Sequence, residues 1–295
     1  MTRNFLIILF LGFLNAASAQ DKKPVEKPKT DSVKSTTKKI GDFVTANAIS
    51  KKGMFSIHQV GEKYYFEIPD SLLGRELLLT TWLVKVPGGS PKFGGEIMNN
   101  RTISFTKWNG GNKIALNVTA TINQVDTTNV ISTAVKNANI NSVAMLFDIK
   151  ARGNGGTSLI DATDFLQKEN SFTMLSGEVK SRLSVSSMAA DRSYIKSFAA
   201  YPINLEIKMM RTYGASTAPA APGRPAVAPL EAARLSGAIT MEISTSIMLM
   251  PEKPMTPRRF DARVGYFADA YQEYADAQVR RCQEIILEEI DHEFR

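Results

Sequence analysis

Apolar and polar positions alternate along most of this chain. In MFSIHQVGEKYYFEIP (54–69) the alternation runs through Phe55, Ile57 and Val60, breaks at Gly61-Glu62, and resumes from Tyr64 to Ile68. Alternation on both sides of a two-residue turn predicts a β-hairpin. ELLLTTWLVKV (76–86) reads as a long strand, followed by the loop PGGSPKFGG. RTISFTKW (101–108) and NKIALNVTATI (112–122) flank Asn109-Gly110-Gly111, a turn that supplies positive φ, and so form a second hairpin. SVAMLFDIKA (142–151) turns through GNGG towards Ser158 and Asp161. INLEIKMMRTY (203–213) and GAITMEISTSIMLMP (237–251) alternate as two further long strands.

Four stretches are read as helices instead. Val130, Ile131, Ala134 and Val135 predict a short helix within 127–139, and DATDFLQKE predicts a capped one. The stretch 191–200 is read as another. Residues 272–295 place Val279, Cys282, Ile286 and Ile290 on one apolar stripe, which predicts a terminal helix. The expected fold is mainly β or α+β, with antiparallel sheets, a few short helices and a C-terminal helix. It divides into a small β domain at 40–90, a larger β-rich domain at 91–267, and an ending at 268–295. GASTAPAAPGRPAVAPLEAA (214–233), dense in Pro, Ala and Gly, is expected to be a flexible loop inside the larger domain.

The N-terminus changes this picture. Arg3, the apolar run 5–14 and Ala17-Ser18-Ala19 form the three parts of a secretory signal, giving a signal peptide at 1–19 and an exported, periplasmic or extracellular product. The apolar run is too short to span a bilayer, and no other stretch is long enough, so no transmembrane segment is expected. Residues 20–39 lack large apolar side chains and are expected to be a disordered basic linker. The formal charge is +7, but residues 21–39 hold seven lysines against Asp21, Glu26 and Asp31. The basic excess is therefore mostly a tail, and nucleic acid is not an expected partner.

Candidate chemistry is sparse. Zinc sites draw on His, Cys, Asp and Glu, and the chain has two histidines and one cysteine. His58 stands between Ile57 and Gln59 in an alternating strand, which predicts a solvent-facing side chain. His292-Glu293 begins the zinc motif His-Glu-x-x-His, but only two residues follow, so a charged helix end is expected. Cys282, on the apolar stripe, is read as a buried inert thiol. Asp161 and Asp164 flank a helix start, where capping accounts for them. No Gly-x-Ser-x-Gly elbow or phosphate-binding Gly-Lys-Ser/Thr is present. No catalytic, cofactor-binding or metal residue is assigned.

Four long phrases in order carry a resemblance: KKGMFSIHQVGEKYYFEIPDSLLGRELLL (51–79), FGGEIMNNRTISF (93–105), DRSYIKSFAAYPINLEI (191–207) and SIMLMPEKPMTPRRFDARVGYF (246–267). Together they resemble the N-terminal half of exported bacterial zinc-dependent metalloproteases, in which two domains of unknown function precede a metzincin-like catalytic domain. The resemblance implies a non-catalytic accessory region whose partner is the protease domain or a protein or peptide substrate. It implies zinc only in that catalytic domain, whose extended His-Glu-x-x-His motif has no matching position here. After Tyr271 the chain departs from the pattern, which is read as a truncated product. An apolar patch is then expected near 263–271 and on the terminal helix. The alternative is a stand-alone envelope-associated binding module.

Overall fold

The computed structural model describes residues 38–119, 123–125, 130–216, 230–253, 258–259, 261, 263, 268–274 and 279–285. Residues 1–37, which hold the stretch expected to be a signal and most of the expected linker, lie outside them, as do residues 217–229 of the Pro/Ala loop and 286–295 at the C-terminus. The described residues open with a 3-10 turn, Ile40–Asp42, where Lys39 N donates to Asp42 Oδ2 at 2.8 Å.

The strands in chain order are β1 (Ile49–Lys51), β2 (Ser56–Val60), β3 (Lys63–Pro69), β4 (Glu76–Lys85), β5 (Ile97–Trp108), β6 (Lys113–Thr119), β7 (Asn123–Val125), β8 (Ser142–Gly153), β9 (Thr157–Asp161), β10 (Val185–Met188), β11 (Tyr194–Ala200), β12 (Asn204–Ala215), β13 (Ala238–Leu249), β14 (Arg258–Arg259), β15 (Ala268–Tyr274) and β16 (Val279–Ile285). Among the described residues four short helices join them: α1 (Ile131–Ala138), α2 (Thr163–Gln167), α3 (Gly177–Leu183) and α4 (Glu231–Ser236). The expected hairpins β2–β3 and β5–β6 form with their predicted turns, and Gly61, Gly110 and Gly111 there all take positive φ.

One sheet of twelve strands organises the molecule, in the order β1-β2-β3-β9-β8-β6-β5-β4-β13-β12-β10, with β11 also on β12. Strands from either side of residue 90 share it, because β3 pairs with β9 and β4 with both β5 and β13. The sheet curls until its two ends meet. Met54 N, between β1 and β2, donates to Tyr201 O just after β11 at 2.7 Å. Tyr64 and Phe198 add an edge-to-face ring contact at 6.1 Å across the same seam. The result is a nearly closed antiparallel barrel. Gly53 sits at the seam, where a Cβ would stand 2.5 Å from Tyr201 N and 2.7 Å from Ala200 C, so only glycine allows the approach.

The concave side is filled from within. Phe55, Phe66, Phe165, Phe147 and Phe105 form a closed ring of neighbouring aromatics with centroid separations of 5.2 to 6.5 Å. Phe165 comes from α2, on the segment 163–183, which crosses this side and is tethered by polar side chains of the sheet. Thr81 Oγ1 donates to Phe172 O, and Asn99 Nδ2 to Met174 O, both at 2.8 Å. The Tyr213 hydroxyl accepts from Leu175 N at 3.2 Å, and Arg211 Nη2 donates to Leu166 O. Arg211 is 1% exposed among Leu205, Ile207, Met209 and Tyr213 on the inward face of β12, and burial pulls its pKa down to about 10.

Two expected helices are strands. In 191–200 a 3-10 turn at Ala190–Arg192 gives way to β11, which pairs along β12. The register shifts between Ile195 and Ser197, so Ile195 and Phe198 share the inward face although they are three residues apart. A bulge thus imitates helical spacing. The predicted terminal helix is likewise replaced over 272–274 and 279–285, where β15 and β16 pair residue for residue, from Ala268 opposite Ile285 to Tyr274 opposite Val279. With β14 and β7 they make a separate four-stranded sheet, β7 running parallel to β15. Pairing to partner strands overrides the local helical pattern here. The apolar patch expected at 263–271 falls outside the described side chains except at Arg263, which is exposed. No described helix is long and apolar enough to cross a membrane.

Candidate functional site

A hollow lies on the outer face of β4, β13, β12 and β11, and a strand pattern makes it. In EISTSIM (242–248) Ile243, Thr245 and Ile247 point inward, leaving Glu242, Ser244 and Ser246 on the outer face. The central strand therefore presents small side chains between neighbours that present large ones. Trp82 lies directly opposite Ser244, which lies opposite Lys208, itself opposite Ser197. The next row runs Thr80, Ser246, Glu206, Ala199. Ser244 floors a groove of about 440 Å³, walled by Trp82 and Val84 on one side and by Glu206, Lys208 and Tyr201 on the other.

The charges on this face are arranged unequally. Glu242 is 4% exposed; Lys196 Nζ donates to it at 2.8 Å and Lys85 Nζ stands 3.9 Å away. The Lys196 hydrogen bond holds its carboxyl below the usual range. Glu206 accepts from Ser244 Oγ at 3.2 Å and from Asn204 Nδ2 at 3.3 Å, and it has no ion pair among the described residues. Burial pushes its carboxyl above the usual range, against those hydrogen bonds and the more distant charge of Lys208.

His58 corrects its expectation. It is 4% exposed, not solvent-facing. Ser50 Oγ lies 2.7 Å from His58 Nδ1, Glu67 Oε2 lies 3.2 Å from Nε2, and Thr157 Oγ1 donates to Glu67 Oε1 at 2.7 Å. Side chains of β1, β2, β3 and β9 are thus linked in one chain on the outer face. Residues 40–44 cover the neighbouring part of that face, with Ile40, Phe43 and Val44 packed on Tyr65, Ala151 and Leu159. The residue types are those of a serine-hydrolase triad, but Ser50 meets Nδ1 and the acid meets Nε2, and neither member borders a hollow described here. The arrangement fastens four strands.

Asp161 and Asp164 do flank a helix start. Asp161 Oδ1 accepts from Thr163 N at 3.0 Å, and Asp164 pairs with Lys168 at 2.8 Å. Both line a second hollow of about 600 Å³ whose lining acids Asp148 and Glu169 are also in ion pairs. Cys282 lies on β16 opposite Tyr271, while His292 and Glu293 lie outside the described residues. Among the described residues no three His, Cys, Asp or Glu cluster to hold a metal ion. Sequence reasoning passed over Trp82, Glu206, Lys208 and Ser244, although the apolar–serine alternation of 242–248 signals a floor of small side chains.

No curated protein and no solved structure matches this chain. Residues 37–86 match the family described as Domain of unknown function (DUF5118). The longer match, over residues 95–287 and so more than half of the chain, places it in the family described as Domain of unknown function (DUF5117), to which it belongs.

Proposed function

We propose that the chain is the non-catalytic accessory region of an exported zinc-dependent metalloprotease-like protein, a β scaffold that presents polypeptide substrate to a catalytic domain. The observation that carries this reading is the filled interior. The segment 163–183 occupies the concave side, with Phe165, Leu166 and Met174 at most 1% exposed, so a partner meets the outer face and its groove. The two family segments, in the order 37–86 and 95–287, follow the order of the phrases that carry the protease resemblance. Ser50, His58 and Glu67 are suited to holding strands together, since acyl transfer needs a cavity for the reacting carbonyl beside the nucleophile. The test is incubation of the purified chain with zinc and casein. Intact casein is expected, and chelator-sensitive fragments would overturn the proposal.

A second reading, an envelope-associated binding module, is favoured by the seven lysines of 21–39, which suit an anionic surface with salt-screened affinity. Deleting 20–39 then releases the chain from the envelope, whereas unchanged association counts against it.

A further inference from the structure

The groove along β13 has a chemistry that selects its occupant. Its walls stand two strand spacings apart, about 10 Å, which suits one extended side chain. One wall carries the half-buried indole of Trp82, an electron-rich face. The opposite wall carries Glu206, a half-buried carboxylate whose charge burial disfavours and which has no ion pair among the described residues. Its companion on this face, Glu242, has two lysines. Lys208 contributes its stem to the wall, but its side chain is exposed and its ammonium remains hydrated. The group that gains most from a partner is the desolvated carboxylate and not the hydrated ammonium.

We propose that this groove receives the side chain of a lysine or arginine presented by a polypeptide, its cationic head on the Glu206 carboxylate and its stem along Trp82. Ser244, already donating to Glu206, fixes the acceptor's orientation. A planar guanidinium could use both carboxylate oxygens, an ammonium only one at a time. The inference rests on the substrate-presenting role proposed above and names the feature of the substrate that would be held.

Trp82 reports on the site. The chain has two tryptophans, so a Trp108→Phe background leaves it as the sole indole. The full-length protein in this background is titrated with the pentapeptide Ac-Ala-Ala-Lys-Ala-Ala-amide, its Nζ-acetylated form, the same peptide with glutamate at the centre, and a neutral trisaccharide. A saturable change in Trp82 emission is expected with the lysine peptide alone. Glu206→Gln should weaken binding at least tenfold. Lys208→Met, at an exposed position that folding tolerates, should tighten it several-fold by removing a like charge. Equal responses to the lysine and acetyl-lysine peptides would overturn the proposal. So would binding of the acidic peptide or the trisaccharide in place of the lysine peptide, weaker binding by Lys208→Met, or no response at all. These failures leave the non-catalytic reading standing, whereas zinc-dependent cleavage of casein overturns that reading and leaves the lysine titration intact.

Discussion

Glu206 and Glu242 share one face of the sheet yet are perturbed in opposite directions. Lys196 holds the second ionised, while burial disfavours the charge on the first. A carboxyl whose folded pKa is raised adds stability that is complete below the ordinary glutamate range and is lost as pH rises through the raised value. Glu206→Gln should therefore raise the thermal midpoint at neutral pH and leave it unchanged at pH 3. Solvent still reaches the carboxylate, so the gain should not exceed about 2–4 °C, the shift that ~1 kcal/mol gives in a chain of this size. Differential scanning calorimetry at the two pH values checks this, and a fall at neutral pH would show that the charge is stabilised. His58 and Arg211 differ in how much of their burial the alternation carries. In IKMMRTY the alternation puts Arg211 on the same face as Ile207 and Met209, so its burial was legible. That of His58 was not, because its partners, Ser50 and Glu67, stand on the neighbouring strands β1 and β3.

At the scale of elements, the long strands were legible because their inward positions are apolar at every second residue. β4 buries Leu77, Leu79, Thr81 and Leu83, and β13 buries Ile239, Met241, Ile243, Thr245 and Ile247. Thr81 and Thr245 interrupt both patterns for one reason. They face each other with hydroxyls 2.8 Å apart, and Thr81 also holds Phe172 O on the internal segment. The misread elements pair with their chain neighbours, β11 with β12 and β16 with β15, and were misread because their apolar spacing, set in β11 by a bulge, imitates that of a helix. The groove was equally hidden, since its walls and floor come from four strands between residues 82 and 244. Within the filled interior α2 is only five residues long, so packing and not helix propensity fixes it. Phe165, 1% exposed and in contact with Phe66, Phe147 and Phe172, is its anchor. Phe165→Ala should cost about 3–5 kcal/mol, measured by urea denaturation. A loss below ~1 kcal/mol would mean that the segment does not support the barrel.

At the scale of the molecule, the sheet ignores the boundary between the two family segments. β2 and β3 sit between β1 and β9, and β4 sits between β5 and β13. Residues 37–295 form one compact unit by their contacts. The strands of 37–86 and those of the following segment that share this sheet should unfold together, and Gly53→Ala should lower the stability of both. The added methyl would collide with the backbone of Tyr201 and Ala200 at the seam, at a cost of about 1–3 kcal/mol. Hydrogen exchange should show protection falling in β1–β3 and in β11–β12 alike, and loss confined to β1 and β2 would mean that the seam does not couple the ends. With its interior filled, a barrel of this kind offers partners its outer face, and the role proposed for that face is to hold polypeptide without cutting it. Sedimentation of the full chain with casein in the presence of zinc tests that claim most directly. A reversible complex is expected, from which both chains emerge at full length and which Glu206→Gln weakens. Two separately sedimenting species, or fragments of casein, would contradict it.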